Sequence, residues 1–391
     1  MREVFLLFKH VFAILITAAI MMPLCVISAS AEPEPVTLEL KSKSNILIEA
    51  STGKMLYSTN PNEKLPLASV TKIMTMLLAM EAIDSGKISM DDIVIASERA
   101  KSMGGSTIFL DTGEAMSVHD LLKGIAVASG NDACVAIAEH IAGSEEGFVA
   151  LMNSRAAELG MLNTCFKNTN GLDAEGHYSS ATDIAIMTAE LLKHPEILEF
   201  TTIWIDSLRD GKFQLANTNK LIRFYNGANG MKTGSTGNAL YCLSGTAKRD
   251  DMQLIAVVMG APTSQDRFAD ATKLLDYGFA NYAVKQMVTA GEPISDVAVE
   301  KGLENIVATA ADEDFSALIP KGSGGNIRRE VTFYESIQAP VEVGDKMGDI
   351  ILYDGDIGIG SVDIVATQRV ERITYGTMFM LLFREWVGIS M

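Results

Sequence analysis

The sequence predicts an α+β fold, and three observations support this. Short apolar runs joined by turns lie near the beginning of the chain, helical patterns fill its middle, and paired apolar runs return near residue 250. Hairpins at both ends of such a region are expected to share one antiparallel sheet, against which the helices pack. After about residue 285, short alternating runs separated by glycine, aspartate and proline predict a small all-β domain.

The first 31 residues predict a secretory signal peptide. Arg2 and Lys9 precede a long apolar run, and Ala29-Ser30-Ala31 supplies the small residues that a signal peptidase recognises. A retained membrane anchor is the alternative. Pro23 near the end of the apolar run and the A-x-A site both favour cleavage after Ala31.

Composition argues against several classes of function. The net charge of −17 disfavours binding to nucleic-acid phosphates. The 5 histidines show no spacing typical of metal ligands, and glycine-rich nucleotide-binding patterns are absent from the sequence. We therefore expect no metal and no cofactor. Too few cysteines follow residue 31 for a disulfide scaffold, and Cys134, in an apolar run, is expected to be a buried small hydrophobe.

The elements of the larger domain follow from periodicity. The runs ILIEA and KMLY, on either side of Ser51-Thr52-Gly53, predict the first hairpin. Apolar residues repeating at i, i+3 and i+4 predict helices over 69–83, 117–127, 131–142, 145–159, 181–193 and 267–282. Strands are predicted at 239–248 and 253–260, joined by the polar turn Arg249-Asp250-Asp251.

The small domain is predicted from the segments SDVAVEKG, ENIVATAA, REVTFYES, APVEVGD, DIILYDGD and GSVDIVATQ. The chain then ends in an apolar segment from Met378 to Met391, interrupted by Arg384-Glu385 and too short to span a bilayer. We expect an interfacial helix with Trp386 at the apolar boundary. The alternative is a terminal helix packed on the small domain.

Two serine–lysine pairs fit the pattern S-x-x-K, and their contexts differ. Ser51 and Lys54 lie in a hairpin turn, where nothing makes the side chains converge. Ser69 and Lys72, in PLASVTKIMT, stand at a predicted helix start, so the lysine lies one turn along on the same face and its amine can approach the hydroxyl. The helix amino terminus also suits developing negative charge. The alternative is that Ser69 serves only as an N-cap.

Two further motifs favour the nucleophile over the cap. Ser129-Gly130-Asn131 joins two predicted helices, and its tight turn can direct a serine and an amide into one cleft. Lys232-Thr233-Gly234 stands at a predicted edge strand, where a lysine and a hydroxyl can bind a carboxylate and Gly234 would let substrate backbone approach. Ser58-Thr59-Asn60 also fits S-x-N but is predicted to be a plain loop.

These motifs, in this order, resemble those of the penicillin-interacting serine acyltransferases. The flanking segments LMNSRAAELGMLNTCF, NGLDAEGHYSSATDIA and GMKTGSTGNA are similar to the low-molecular-mass penicillin-binding proteins, the serine-type D-alanyl-D-alanine carboxypeptidases. The resemblance covers roughly residues 40–285. It implies a β-lactamase/transpeptidase-like catalytic domain at 32–285, a small all-β domain at 286–370 and a membrane-associating amphipathic helix at 371–391.

The resemblance also implies the reaction, the partners and the location. The substrate would be a peptidoglycan pentapeptide ending in D-Ala-D-Ala, β-lactam antibiotics would be covalent ligands, and no cofactor would be needed. The protein would be exported and held by its terminal helix at the outer face of the cytoplasmic membrane.

Catalytic roles carry over onto the matching residues. Ser69 would attack the peptide carbonyl, and Lys72 would be the general base, its pKa lowered by burial and by nearby Lys232. Ser129 would pass a proton to the leaving D-alanine. Asn131 would hold Lys72 or the substrate amide.

Binding roles carry over in the same way. Lys232 and Thr233 would bind the terminal carboxylate, and the backbone N–H groups of Ser69 and Ser235 would form the oxyanion hole. Arg267 matches a family arginine near the carboxylate site, although an arginine that opens a helix is usually a solvated surface charge.

Other functions that use the same motifs agree less well with the sequence. A class A β-lactamase needs a glutamate in E-x-x-L-N, and Glu158 is one residue too far from Leu162. High-molecular-mass transpeptidases bear extra amino-terminal domains, although transpeptidation remains compatible with an acyl-enzyme. A penicillin sensor would couple to transmembrane helices outside the signal region. His177, in GHYSSA, is expected to be structural because the lysine already fills the role of base.

Overall fold

The computed structural model describes residues 37–322 and 327–387, so the predicted signal peptide lies outside the described residues. The strands up to residue 261 are β1 Ser44–Glu49, β2 Met55–Thr59, β3 Ile93–Ile95, β4 Ala115–Ser117, β5 Ile205–Leu208, β6 Phe213–Ala216, β7 Ala228–Thr236, β8 Leu240–Arg249 and β9 Met252–Ala261. The α-helices of this region are α1 Lys72–Asp84, α2 Glu98–Lys101, α3 Val118–Ala128, α4 Asn131–Ala142, α5 Glu145–Glu158, α6 Ala181–Leu191, α7 Leu198–Thr201, α8 Leu221–Phe224 and α9 Ser264–Asn281.

One five-stranded antiparallel sheet organises the first domain, in the order β2-β1-β9-β8-β7. Strands from the beginning of the chain therefore pair with strands from residue 228 onward, which confirms the predicted α+β fold. Strand β9 is central and buried along nearly its whole length, because α6 and α9 both pack on it. Strand β7, which carries the K-T-G motif, lies at the edge as predicted.

Helix α1 forms the centre of the helical core. Its sequence is apolar on all sides, which is typical of a buried helix rather than an amphipathic surface helix. It contacts α4, α5 and α6, and its first residue, Lys72, is completely buried. The sequence therefore places a lysine amine inside the protein at the point where the helix begins.

The predicted helices are confirmed to within a few residues, with one informative difference. The segment predicted as a helix from residue 69 begins as a 3-10 turn, Ala68–Thr71, before α1 starts at Lys72. Ser69 is inside that turn, and neither the turn nor α1 has a side-chain cap. The N-cap alternative for Ser69 is therefore wrong.

Some short elements differ from the prediction. Ser58 and Thr59 are the last residues of β2, so the loop predicted for this S-x-N match is wrong. Strands of three or four residues, in the hairpins β3–β4 and β5–β6, were not predicted because they are too short to show a period.

The carboxy-terminal region is an all-β domain with its own hydrophobic core. Its strands are β10 Tyr282–Val288, β11 Pro293–Glu300, β12 Ile306–Ala311, β13 Phe315–Pro320, β14 Ile327–Phe333, β15 Ile337–Gln338, β16 Lys346–Asp354 and β17 Ile357–Ala366. A six-stranded sheet has the order β14-β16-β17-β12-β11-β15, and β10 pairs with β13. The segment APVEVGD forms no strand: Val341 makes only an isolated bridge to Val370, since Pro340 cannot donate to a ladder.

The last described element is helix α10, Tyr375–Val387. Its described apolar side chains are exposed, Phe379 at 67% and Trp386 at 81%, and are not packed on the small domain as the alternative proposed. None of the helices within residues 37–322 and 327–387 combines the length and the apolar character needed to cross a membrane.

Candidate active site

Two of the predicted motifs meet at the amine of Lys72. Its Nζ donates to Ser69 Oγ at 3.0 Å, to Asn131 Oδ1 at 2.6 Å and to the Asn170 carbonyl at 2.6 Å. Three acceptors match the three donors of an ammonium group. The Asn170 carbonyl was missed at the sequence level, because a backbone acceptor has no residue-type signature.

The turn that carries Ser69 is held in an unusual conformation by close neighbours. Ala68 has φ 48°, a left-handed value that is costly for a residue with a side chain. A Cβ on Gly234 would lie 2.8 Å from both the Leu67 carbonyl and the Ser69 nitrogen. A Cβ on Gly171 would overlap the Ala68 carbonyl. Gly234 is therefore required by its close approach to the Ser69 turn, and its predicted approach to substrate backbone stays a prediction.

The S-x-N motif forms the junction between α3 and α4. Ser129 ends α3 in the left-handed conformation, φ 63°, and Asn131 begins α4. Asn131 is pinned on both sides, since its backbone N–H donates to Ser106 O at 2.7 Å and its Nδ2 donates to Gly104 O at 2.6 Å. These bonds fix which end of the amide faces Lys72. Ser129, only 4% exposed, lies two positions away on the same turn.

The K-T-G motif lies along edge strand β7. Lys232 is buried, and its Nζ donates to the Thr233 carbonyl at 3.1 Å. The Thr233 hydroxyl donates to Thr218 Oγ1 at 2.7 Å. Ser235 is exposed farther along the strand. The motif thus combines a buried lysine amine with hydroxyls on the edge strand of the sheet.

Burial shifts the pKa of both lysines. It lowers the pKa of Lys72 to about 8, with Cys134 and Asp132 acting in the opposite direction. The pKa of Lys232 is lowered well below its usual value, first by burial and then by the positive charge of Lys72. The two ammonium groups repel each other, so the two lysines are not both readily protonated. Cys134 is fully buried as predicted, and burial raises the pKa of its thiol to about 12.

Arg267 is buried behind β7, so the alternative of a solvated surface charge is wrong. Its guanidinium donates to the Gly234 carbonyl at 3.1 Å, to the Cys242 carbonyl at 3.3 Å and to Ser264 Oγ at 3.2 Å. Burial lowers its pKa to about 10. Arg267 therefore supports the K-T-G strand through its backbone.

His177 and Glu158 stand apart from the Lys72 amine. His177 is buried, accepts a hydrogen bond at Nδ1 from the Lys167 N–H at 2.9 Å, and contacts Thr71 Oγ1 through Nε2 at 2.8 Å. Glu158 ends α5 with its side chain 58% exposed and paired with Arg155. Its position agrees with rejecting it as a deacylating glutamate.

The described site contains serine, lysine, asparagine and threonine groups rather than metal ligands. No group of three or more histidine, cysteine, aspartate or glutamate side chains within residues 37–322 and 327–387 could hold a metal ion.

Comparisons with known proteins agree with this arrangement. The profile of the D-alanyl-D-alanine carboxypeptidases, peptidase family S11, matches residues 28–263, and that of the penicillin-binding protein 5 C-terminal domain matches residues 282–372. D-alanyl-D-alanine carboxypeptidase DacF of Bacillus subtilis is 48% identical over 351 residues, covering 88% of this chain and 90% of the relative. DacC of Escherichia coli is 35% identical, covering 88% of each chain.

Solved structures give the same result. The structure of penicillin-binding protein 5 from Haemophilus influenzae superposes with a TM-score of 0.75 at 33% identity, covering 86% of this chain and all (100%) of the other. The chain therefore belongs to the D-alanyl-D-alanine carboxypeptidases of peptidase family S11.

Proposed function

We propose that the carboxypeptidase reaction of this chain passes through an acyl-enzyme on Ser69. The observation that carries the proposal is the 3.0 Å contact between Ser69 Oγ and the buried Lys72 amine. With a pKa near 8, about a tenth of the Lys72 amines are neutral at pH 7. The neutral amine can accept the proton of the Ser69 hydroxyl as a general base. The serine thus has the adjacent base that an alcohol nucleophile needs.

In the acylation step, Ser69 Oγ attacks the carbonyl carbon of the D-Ala-D-Ala peptide bond, and Lys72 takes the hydroxyl proton. The backbone N–H groups of Ser69 and Ser235 stabilise the oxyanion. The C–N bond then breaks, and the amine of the leaving D-alanine receives a proton through Ser129. Water attacks the resulting ester, which releases the shortened stem peptide and restores the serine.

Substrate binding centres on the terminal carboxylate. Lys232 and Thr233 bind it, and Arg267 supports the strand from behind by holding the Gly234 carbonyl. Because Lys232 is buried next to another cation, a bound carboxylate favours its protonated form. Binding is therefore coupled to the charge of Lys232.

β-Lactam antibiotics acylate the same serine. Glu158, the nearest match to the deacylating glutamate of a class A β-lactamase, is exposed and paired with Arg155, so it does not direct a water to the ester. The penicilloyl ester is therefore released slowly. An amine acceptor can compete with water for the peptidyl ester, which would give transpeptidation.

The location and the domain boundaries are part of the proposal. Residues 1–31 direct export, the catalytic domain spans 32–285, the small β domain spans 286–370, and residues 371–391 hold the protein at the outer face of the membrane. The exposed apolar side chains of α10, including Phe379, Phe383 and Trp386, support this anchoring role.

The test uses the purified chain with a peptide ending in D-Ala-D-Ala. We expect release of D-alanine, and penicillin should add covalently to the peptide that contains Ser69 when the protein is analysed by mass spectrometry. Ser69→Ala should lose both activities. Labelling that persists in Ser69→Ala would reject the nucleophile, and wild-type labelling without D-alanine release would favour a sensor.

A further inference from the structure

We propose that Thr71 and His177 form a positioning relay that orients the Ala68–Ser69 peptide group. This inference rests on the proposed role of Ser69 as nucleophile and oxyanion donor. The contacts are direct: His177 Nε2 lies 2.8 Å from Thr71 Oγ1, and Thr71 Oγ1 lies 2.8 Å from the Ala68 carbonyl oxygen. Neither residue was assigned a catalytic function by the motifs.

The direction of every hydrogen bond in the relay is determined. The backbone N–H of Lys167 can only donate, so His177 Nδ1 accepts its bond at 2.9 Å and carries no proton. The proton of the neutral ring is then on Nε2, which donates to Thr71 Oγ1. The Thr71 hydroxyl in turn donates to the Ala68 carbonyl. The chain of donors therefore ends on a backbone carbonyl next to Ser69.

That carbonyl belongs to the same planar peptide group as the Ser69 N–H. Because the peptide is planar and trans, holding the oxygen at one end fixes the direction of the N–H at the other. A hydrogen bond to the carbonyl also polarises the group, and chains of hydrogen bonds strengthen one another. The relay thus orients the Ser69 N–H and makes it a stronger hydrogen-bond donor. This is the N–H that the proposed mechanism uses in the oxyanion hole.

The Ala68 backbone is the reason why such a restraint is needed. Its φ of 48° is unfavourable for a non-glycine residue, so the turn would relax if nothing held it. Gly171 and Gly234 allow neighbouring backbone to press on the same peptide group, which limits its movement by packing. Thr71 supplies a directional bond that packing alone cannot give.

A purely structural role makes a different prediction. Thr71 is fully buried and His177 is 6% exposed, so each needs a hydrogen-bond partner in any case. Loss of such a bond lowers stability but leaves the folded molecules with normal kinetics. A positioning role lowers the rate of acylation in molecules that are fully folded.

The experiment uses the full chain and two substitutions at one position. Thr71→Val keeps nearly the same shape without the hydroxyl, whereas Thr71→Ser keeps the hydroxyl. We expect Thr71→Val to lower kcat for D-alanine release and the penicillin acylation rate by about 10- to 100-fold, with KM changed less than about threefold. Thr71→Ser should stay within about threefold of wild type.

Thr309→Val is a matched control. Thr309 is also buried and also donates to a backbone carbonyl, that of Ser295 at 2.6 Å, but it lies in the small β domain. The control should lose stability without a change in the acylation rate. An unchanged rate in folded Thr71→Val, or an equal loss in Thr71→Ser and Thr71→Val, would overturn the relay.

A double-mutant cycle tests whether His177 acts through Thr71. His177→Leu alone should slow acylation by about three- to tenfold, because Thr71 keeps its bond to Ala68. The Thr71→Val/His177→Leu double variant should be no slower than Thr71→Val alone. If the two substitutions slow acylation independently, so that their effects multiply, the relay is rejected. A wild-type acylation rate in His177→Leu also rejects it. This second measurement is sufficient if Thr71→Val does not fold.

Failure of the relay is distinct from failure of the proposed function. If only the relay is wrong, penicillin still labels Ser69 in the wild type and Ser69→Ala still abolishes labelling. If the proposed function is wrong, the wild type lacks either the labelling of Ser69 or the release of D-alanine.

Discussion

The side-chain oxygen of Asn131 lies 2.6 Å from the amine of Lys72, and Asn131 cannot turn away from it. Its amide nitrogen is held by the Gly104 carbonyl, so the oxygen is the end that faces the lysine. The lysine is fully buried but contacts only uncharged acceptors at hydrogen-bond distance. The site therefore satisfies the ammonium group without a direct counter-ion, and the amine can lose its proton near neutral pH.

The wild-type pH profile should report this lysine. Because the neutral amine is the active form, kcat/KM should rise about tenfold per pH unit below pH 8 and stop rising near pH 8, following the pKa of about 8, before loss of the Lys232 proton weakens carboxylate binding at alkaline pH. Steady-state D-alanine release from pH 6 to 10, at substrate concentrations well below KM, measures this profile. A profile that is flat between pH 6 and 9 would reject Lys72 as the base.

Asn131→Asp should move that profile to higher pH. A carboxylate at the same position stabilises the charged form of Lys72, which raises its pKa and reduces the neutral fraction at pH 7. We expect activity at pH 7 to fall at least about tenfold, with partial recovery above pH 9. The same pH series measures it, and an unshifted inflection would show that Asn131 does not govern the lysine.

Gly234→Ala should disable acylation because the added methyl would lie 2.8 Å from the Ser69 nitrogen. Displacement of the turn by a few tenths of an ångström or more should slow penicillin acylation by about 100-fold. Gly237→Ala is the control, since a Cβ there meets nothing within 4 Å. Equal acylation rates in the two variants would contradict the packing argument.

His177 should make stability depend on pH in the acid range. The pKa of its imidazole is lowered from 6.5 to about 4, mainly by burial, with Asp173 opposing the shift and the charge of Lys167 adding to it. The folded state then binds a proton less readily than the unfolded chain, so this stabilisation is complete above pH 6.5 and is lost as the pH falls toward 4.

Urea unfolding of wild type and His177→Gln at several pH values measures the effect. Wild type should lose up to about 3 kcal/mol more than the variant between pH 7 and pH 4, from the difference in pKa. Parallel losses in the two proteins would assign the acid sensitivity to other groups.

Deletion of residues 375–391 should release the protein from membranes. The cut keeps the bridge between Gly302 and Arg372, so the small β domain remains closed, while it removes the exposed apolar side chains of α10. Fractionation of cells should find the truncated form in the soluble fraction with unchanged activity toward a soluble peptide. A truncated form that stays with the membrane would point to an uncleaved amino-terminal segment.

The sequence predicted the side chains of the site better than its backbone. Ser69, Lys72 and Asn131 could be found because their residue types and spacing carry the chemistry. The Asn170 carbonyl and the strained backbone of Ala68 could not be found, since no residue type identifies a backbone contact or a dihedral angle. The close approach of Gly234 to the Ser69 turn could not be predicted for the same reason, because that turn is about 165 residues away in the sequence.

The burial of individual side chains was the second feature that the sequence did not predict. An arginine near the start of a helix gives no sign that it will lie under a sheet edge, so Arg267 could be interpreted as a surface charge. The helix α1 was predictable as a helix from its apolar repeat, but the burial of its first lysine follows from how α4, α5 and α6 surround it. Tertiary packing determines both, and it also lowers the pKa of Lys72.

The pairing of β1 with β9 has a consequence for when this enzyme becomes active. Ser44 lies opposite Met259, so the central sheet joins strands about 200 positions apart and has a high contact order. A nascent chain that ends before β9 lacks the strand between β1 and β8, and cannot hold the K-T-G strand beside Ser69. Folding of the catalytic domain therefore has to wait for β9, and we expect a chain that ends before Met252 not to react with penicillin.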